Sequence, residues 1–239
     1  MLVLLHGFGG APASWQDVQR ELSEPSLAPA LLGHDGHSDG SAPIDTFDAE
    51  VNRIAAMVPP GSHIVGYSLG GRVALGVAVR HPGRIARCTL ISTHPGLVSG
   101  DLRAARAAAD DGWAERLERD GLASFFAAWE SQPMFATQQR LPEETRARQR
   151  TIRLAHHPAG LARAMRTLSL GRMPPRWADL FEVQAPVNVV TGSLDATYGA
   201  LGEQLAAALP LARCTVVPDA GHNVVLEAPR AIARIVMAP

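Results

Sequence analysis

Gly66-Tyr67-Ser68-Leu69-Gly70, entered from the apolar run Ile64 to Gly66 and left through Gly70 to Arg80, is the stretch on which the fold turns. It is a G-x-S-x-G sequence set between a short buried strand and a helix. The glycines permit a tight strand-to-helix turn that holds the Ser68 hydroxyl out at the strand end. The amide of Leu69, at the start of the helix, points to the same place and can stabilise developing negative charge.

Short apolar runs recur on both sides of this turn: Leu2 to Leu5, Thr89 to Ile91, Val187 to Val190 and Thr215 to Val217. Strands buried on both faces read as continuous apolar runs, and the helical patterns between them, such as Tyr198 to Ala208, point to crossover connections. The fold class is α/β, a mostly parallel sheet flanked by helices. Residues 97–180 break the alternation, with Ala, Arg, Glu and Leu at helical spacing, as in Asp101 to Glu118, and no strand-like run. This stretch is expected to be a helical cap inserted into a core made of residues 1–96 and 181–239. It would lie over the strand ends, where open α/β sheets bind ligands. Gly171 to Pro175 and Gln184 to Pro186 supply turns that return the chain to the core.

A chain of 239 residues suits one such core. At 46% hydrophobic and 19% charged residues it has ordinary globular composition, which argues against a disordered or fibrous chain. A formal net charge of -1 provides no overall field to gather nucleic acid or an anionic membrane. No segment approaches the roughly 20 apolar residues of a membrane span. The expected partner is therefore a small molecule, and the expected state a monomer or small homo-oligomer. All 22 basic residues are arginine. Cys88 and Cys214 each lie in an apolar run and are expected to be buried free thiols. That use of cysteine, with an N-terminus that reads as a strand, points to the cytoplasm. No G-x-G-x-x-G follows a strand and no phosphate-binding P-loop occurs, so no cofactor is expected. His156 and His157 are adjacent, so their side chains diverge and no metal site is expected.

Three further segments carry chemistry. His6-Gly7-Phe8-Gly9-Gly10 follows the first strand, and the Phe8 amide is the candidate second oxyanion donor beside that of Leu69. His6 itself reads as structural, and His34 and His37 as organisers of a turn near the site. An acid and a histidine then follow the serine in chain order: Asp195 in Gly192-Ser193-Leu194-Asp195 and His222 in Gly221-His222-Asn223, each where a strand ends. His222 would take the Ser68 proton, and Asp195 would hold the imidazole tautomer and stabilise the imidazolium. Asp219 and Glu227 are alternatives for the acid. Elbow, oxyanion loop and triad in this order resemble the α/β-hydrolase fold.

A narrower resemblance rests on Gly66 to Arg72, His94-Pro95-Gly96-Leu97, Trp129-Glu130-Ser131-Gln132-Pro133-Met134-Phe135 and Gly221-His222-Asn223, taken together. The chain resembles, over nearly its full length, the 2-succinyl-6-hydroxy-2,4-cyclohexadiene-1-carboxylate synthase family of menaquinone biosynthesis. That resemblance implies a lyase. Ser68, activated by His222, would remove a proton from carbon in a succinyl- and enolpyruvyl-bearing cyclohexene carboxylate, and pyruvate would leave. It also implies a carboxylate clamp of Arg72, Arg106 and Arg153, with Arg150 as the alternative to the last, and Tyr67 and Trp129 beside the substrate. The chain departs from the family at Ala196-Thr197-Tyr198, at Val225, and in the altered loop Ala30 to Ser38. A carboxylesterase or carbon-carbon bond hydrolase with Ser68 as nucleophile stays open, because fold and triad do not decide chemistry. Cationic residues facing Ser68 would favour the carboxylate-rich substrate, and a wide apolar tunnel a neutral ester.

Overall fold

The computed structural model describes residues 1–34 and 44–238. From the N-terminus, β1 (Leu2–Leu5) leads through a 3-10 turn at Pro12–Trp15 into α1 (Gln16–Gln19), then β2 (Ser26–Leu27), α2 (Phe47–Met57), β3 (Ser62–Tyr67) and α3 (Leu69–Arg80). Next come β4 (Ile85–Ile91), α4 (Gly100–Glu130), a 3-10 stretch at Pro133–Arg140, α5 (Glu143–Leu154) and α6 (Pro158–Thr167). After a 3-10 turn at Trp177–Glu182 the chain closes with β5 (Val187–Gly192), α7 (Ala196–Ala208), β6 (Ala212–Val217), α8 (Val224–Glu227) and α9 (Pro229–Met237).

The six strands form one sheet in the order β2-β1-β3-β4-β5-β6, and every neighbouring pair is parallel. Side chains alternate between faces with period two. Val3, Leu5, Ile64 and Leu90 join the core beneath α2, α3 and α7, while Leu2, Leu4, Val65 and Ile91 pack against Trp15, Val18, Ile232 and Val236 on the opposite face. Burial on both faces explains why these strands are uninterrupted apolar runs. The register sets Leu5 beside Gly66 and Gly66 beside Leu90, so the loops leaving β1, β3 and β4 emerge at one edge.

Short polar side chains start the helices. Thr46 accepts the Ala49 amide at 3.1 Å ahead of α2, and Ser99 accepts that of Leu102 at 3.3 Å ahead of α4. Between β4 and β5 every regular element is helical. A third cluster, which includes Ala114, Leu117, Phe125, Phe126, Leu161 and Met165, holds α4 to α6. Among the described residues no helix is long and apolar enough to cross a membrane.

The structure departs from the sequence expectations in several places. The helix anticipated at Asp101 to Glu118 runs on to Glu130, with a break at Gly121, whose φ of 73° and ψ of 177° are not helical. The two-residue β2 and helices α2 and α9 were not anticipated. Cys214 is exposed rather than buried, because β6 is the edge strand and among the described residues no strand pairs with its outer side, while Cys88 is buried in the middle of the sheet. Burial pushes the Cys88 thiol pKa up, which disfavours its thiolate. His37, expected to organise a turn, lies outside the described residues.

Candidate active site

Ser68 is held by the turn between β3 and α3. Its backbone takes φ 51° and ψ -108°, a strained conformation for a residue with a side chain. The turn is anchored by the Ser68 amide, which donates to Ile91 O at 2.8 Å, and by the Arg72 amide, which donates to Ser68 O at 3.0 Å. Position 70 must be glycine, since a Cβ there would sit 2.2 Å from the carbonyl oxygen of Leu5. The sharp bend that exposes Ser68 is thus a consequence of α3 lying directly against β1.

His222 and Asp195 reach Ser68 from the loops after β6 and β5. His222 Nδ1 donates to Asp195 Oδ2 at 2.8 Å, and its Nε2 lies 3.3 Å from Ser68 Oγ. An Nδ1 proton on the carboxylate leaves Nε2 free to accept the serine proton. The His222 loop is fixed twice: Ser92 Oγ donates to His222 O at 2.9 Å, and the Glu227 carboxylate accepts the amides of Gly221 at 2.8 Å and Asn223 at 3.3 Å. Glu227 therefore braces the loop and is not the acid on the imidazole. Asp219 is exposed, and its amide donates to Ser193 Oγ at 3.0 Å, so it too stands apart from His222.

The other candidate oxyanion element is the loop after β1. Neither the Phe8 nor the Leu69 amide donates to another described turn, loop or cap. Two buried histidines support that loop. His34 Nε2 accepts the Gly9 amide at 3.0 Å, and His6 Nε2 accepts the Leu31 amide at 3.1 Å. Both must be neutral to accept, and burial pushes His6 down to about 4 and His34 well below its usual value. These bonds are the structural work the sequence assigned to His6 and His34. His156 packs its ring edge-on at 5.4 Å from His34, whereas His157 stands before α6 as its cap, so the two adjacent rings go separate ways.

Together these loops and the helices between β4 and β5 line a cavity of about 750 Å³. All the site residues expected from sequence line it: Ser68, Asp195 and His222, Phe8 and Leu69, Tyr67 and Trp129, and Arg72, Arg106 and Arg153. The arginines differ in setting. Arg72 on α3 donates to Leu168 O at 2.9 Å and is pushed down to about 10 by burial first and the nearby charge of Arg106 second. Arg106 on α4 donates from Nε to Asp110 Oδ1 at 2.9 Å. Arg153 on α5 is buried, lies over the Phe126 ring and pairs with Glu130 at 2.5 Å. Arg150 is exposed and does not line this cavity. Arg153 rather than Arg150 is thus the cavity-facing residue of the two.

Sequence reasoning missed several lining residues. The Tyr198 ring sits 4.4 Å from that of His222, and burial pushes its hydroxyl pKa up, which keeps it neutral. His94 shares a corner with Arg72 and Arg106; burial and then those two charges push it down to about 4. Arg148 also lines the cavity and pairs with Asp17, joining α5 to α1. The departure at Ala196-Thr197-Tyr198 and the His94-Pro95-Gly96 turn were the only sequence signals pointing to any of these.

A parallel sheet, a serine on a strained strand-to-helix turn and a hydrogen-bonded acid, histidine and serine in a capped cavity define the class of α/β-hydrolase-fold proteins. The sequence model of the alpha/beta hydrolase family matches residues 2–235. A protein of Enterobacter sp. (strain 638) is 37% identical, with 97% of this chain and 88% of that protein covered. One of Escherichia coli O1:K1 / APEC is 33% identical, with 97% and 90% covered. Both are named 2-succinyl-6-hydroxy-2,4-cyclohexadiene-1-carboxylate synthase. The solved structure of MenH from S. aureus superposes with a TM-score of 0.94 at 26% identity, covering 99% of this chain and 91% of that one. This chain belongs to the 2-succinyl-6-hydroxy-2,4-cyclohexadiene-1-carboxylate synthase family.

Proposed function

We propose that the protein is the carbon-oxygen lyase that its relatives' name describes, forming 2-succinyl-6-hydroxy-2,4-cyclohexadiene-1-carboxylate with release of pyruvate. The product's own structure dictates where the base must act. Its ring carbon 2 carries the succinyl ketone and ends a new double bond, so the proton lost is the one on that carbon, next to the carbonyl. Ser68 Oγ takes this proton as its own passes to His222 Nε2, and Asp195 holds the resulting imidazolium. The electron pair of the broken C–H bond enters the ketone as an enolate, whose oxygen accepts from the amides of Phe8 and Leu69. Collapse of the enolate shifts the ring double bond and expels the enolpyruvyl oxygen, which leaves as pyruvate once protonated at carbon. No acyl-enzyme forms.

One observation carries this reading: the Ser68 and His222 pair opens into the same cavity as Arg72, Arg106 and Arg153. A carboxylate-rich substrate needs such cationic groups, and guanidinium forks match carboxylates in geometry. Tyr67 and Trp129 supply apolar walls with polar tips for the ring between them. The partner is then a small carboxylate and neither nucleic acid nor membrane. Monomer or small homo-oligomer is the expected assembly, to be read by light scattering. Residence in the cytoplasm belongs to the same proposal, supported by two unpaired thiols and checked by cell fractionation.

The test is pyruvate release from the succinyl- and enolpyruvyl-bearing cyclohexene substrate in a coupled assay, with Ser68→Ala and a simple aryl ester in parallel. Release by the native chain and a loss of roughly 10²- to 10⁴-fold in Ser68→Ala are expected. No release together with rapid ester cleavage would replace the lyase with an esterase on the same triad.

A further inference from the structure

The carboxylate of Asp110 stands one helical turn beyond Arg106 on α4 and is 2% exposed. Each oxygen has one partner: Oδ1 accepts from Arg106 Nε at 2.9 Å, and Oδ2 accepts from Ser169 Oγ at 2.7 Å. Ser169, also 2% exposed, takes the Gly171 amide on the same hydroxyl at 3.0 Å, which turns its own proton toward Asp110. The preceding residue, Leu168, offers its carbonyl oxygen to Arg72 at 2.9 Å. One short piece of chain leaving α6 therefore holds both arginines, Arg72 directly and Arg106 through Ser169 and Asp110.

The mode of attachment matters. Exposed helix pairs four residues apart form and break freely and contribute little. Asp110 differs because it is buried and has a second, non-helical partner that fixes its rotamer, and a buried carboxylate left without its cation is strongly destabilising. It grips Arg106 by Nε alone. Among the described residues no side chain or carbonyl accepts from Arg106 Nη1 or Nη2, so the outer edge of the guanidinium faces the cavity with its donors available. The separation of Arg72 and Arg106 is also set, close enough that the charge of Arg106 weighs on Arg72.

We propose that Asp110, with Ser169, is a positioning pair that fixes the Arg106 fork beside Arg72, making the two cations one receptor for ligands with two carboxylates. This rests on the lyase reading above for its substrate, but not for its geometry. A pre-set pair of forks spares the ligand the cost of ordering two long side chains. Its effect therefore falls on binding, whereas Ser68 and His222 govern turnover.

The experiment uses the full chain, with Asp110→Asn, Ser169→Ala, Arg106→Ala and the double variant Asp110→Asn with Arg106→Ala. Thermal melting checks that each folds, and Ser169→Ala serves if Asp110→Asn does not. Asp110→Asn is expected to raise KM for pyruvate release about five- to fiftyfold with kcat within about threefold, and Ser169→Ala to do so more weakly. In the Arg106→Ala background the Asp110 change should add nothing, because the residue it positions is gone. Equal factors in both backgrounds, or a fall in kcat at constant KM, would overturn the proposal. Should the native chain release no pyruvate, the lyase reading falls and titration with succinate decides the positioning role. Weakened succinate binding in both Asp110→Asn and Arg106→Ala upholds it, and native-like binding in Asp110→Asn refutes it.

Discussion

Arg72 shows how one side chain answers to several demands. It starts in the first turn of α3, four residues after Ser68, so the elbow that aims the serine also aims the arginine. Burial makes its charge costly, and a single carbonyl, that of Leu168, is a modest partner for a guanidinium. An anionic ligand would complete it. Arg72→Ala is therefore expected to raise KM by roughly tenfold to a hundredfold, the worth of a charge-assisted hydrogen bond of about 1.5 to 3 kcal/mol. Steady-state kinetics of pyruvate release would read this, and unchanged KM would remove Arg72 from the carboxylate clamp. Its position was legible because it is local to the G-x-S-x-G sequence. Asp110 was not, because its partner Ser169 lies 59 residues away in sequence.

Helix α4 forms one wall of the cavity, with Arg106, Asp110, Trp113 and Trp129 among its lining residues. Its polar and apolar residues at helical spacing predict a helix, and the chain is indeed helical from Gly100 to Glu130. The break at Gly121 redirects the second part, which bears Phe125, Phe126 and Trp129. Trp129 stacks on Phe125 at 5.6 Å and tilts against Phe8 at 5.4 Å, so the redirected segment covers the oxyanion loop. A φ of 73° with a ψ of 177° is open almost only to glycine. Nothing lies within 4 Å of where a Cβ would be, so the penalty for a side chain is conformational rather than a clash. Gly121→Ala should destabilise the protein by about 1 to 3 kcal/mol, lowering the melting temperature by several degrees. A melting temperature equal to the native one would show that the bend survives without glycine.

The assembled fold sets a pH limit. His6, His34 and His63 are buried and their pKa values are pushed below 6.5, His6 and His63 to about 4, in each case chiefly by burial. Unfolding releases them to their usual value. Above about 6.5 neither state is protonated and their neutral burial costs nothing in linkage. As pH falls from 6.5 toward 4 the unfolded chain takes up protons that the native chain refuses, and stability is lost. Between pH 7.5 and 5.0 His6 alone accounts for about 2 kcal/mol. Urea midpoints should drop across that interval and level near pH 7. A midpoint that stayed flat down to pH 5 would mean that these histidines are solvated in the native state.

From the sequence alone came the α/β class, the family, and the candidate site residues Ser68, Asp195 and His222 with the candidate oxyanion loop after β1, because each rests on features a few residues long. Gly66 to Gly70 mark a strand-to-helix turn within five residues, strand runs announce two-sided burial, and Gly-His-Asn lies just past the end of its strand. The bracing of the His222 loop by Glu227, the pairing of Arg153 with Glu130 and the exposure of Cys214 lay outside such local signals. So did Tyr198 against His222 and the linkage of Arg72 to Arg106 through Leu168, Ser169 and Asp110. Those depend on which loops and helices meet in space, and contact between residues far apart in the chain is set by packing of the complete core and cap, which no short segment encodes.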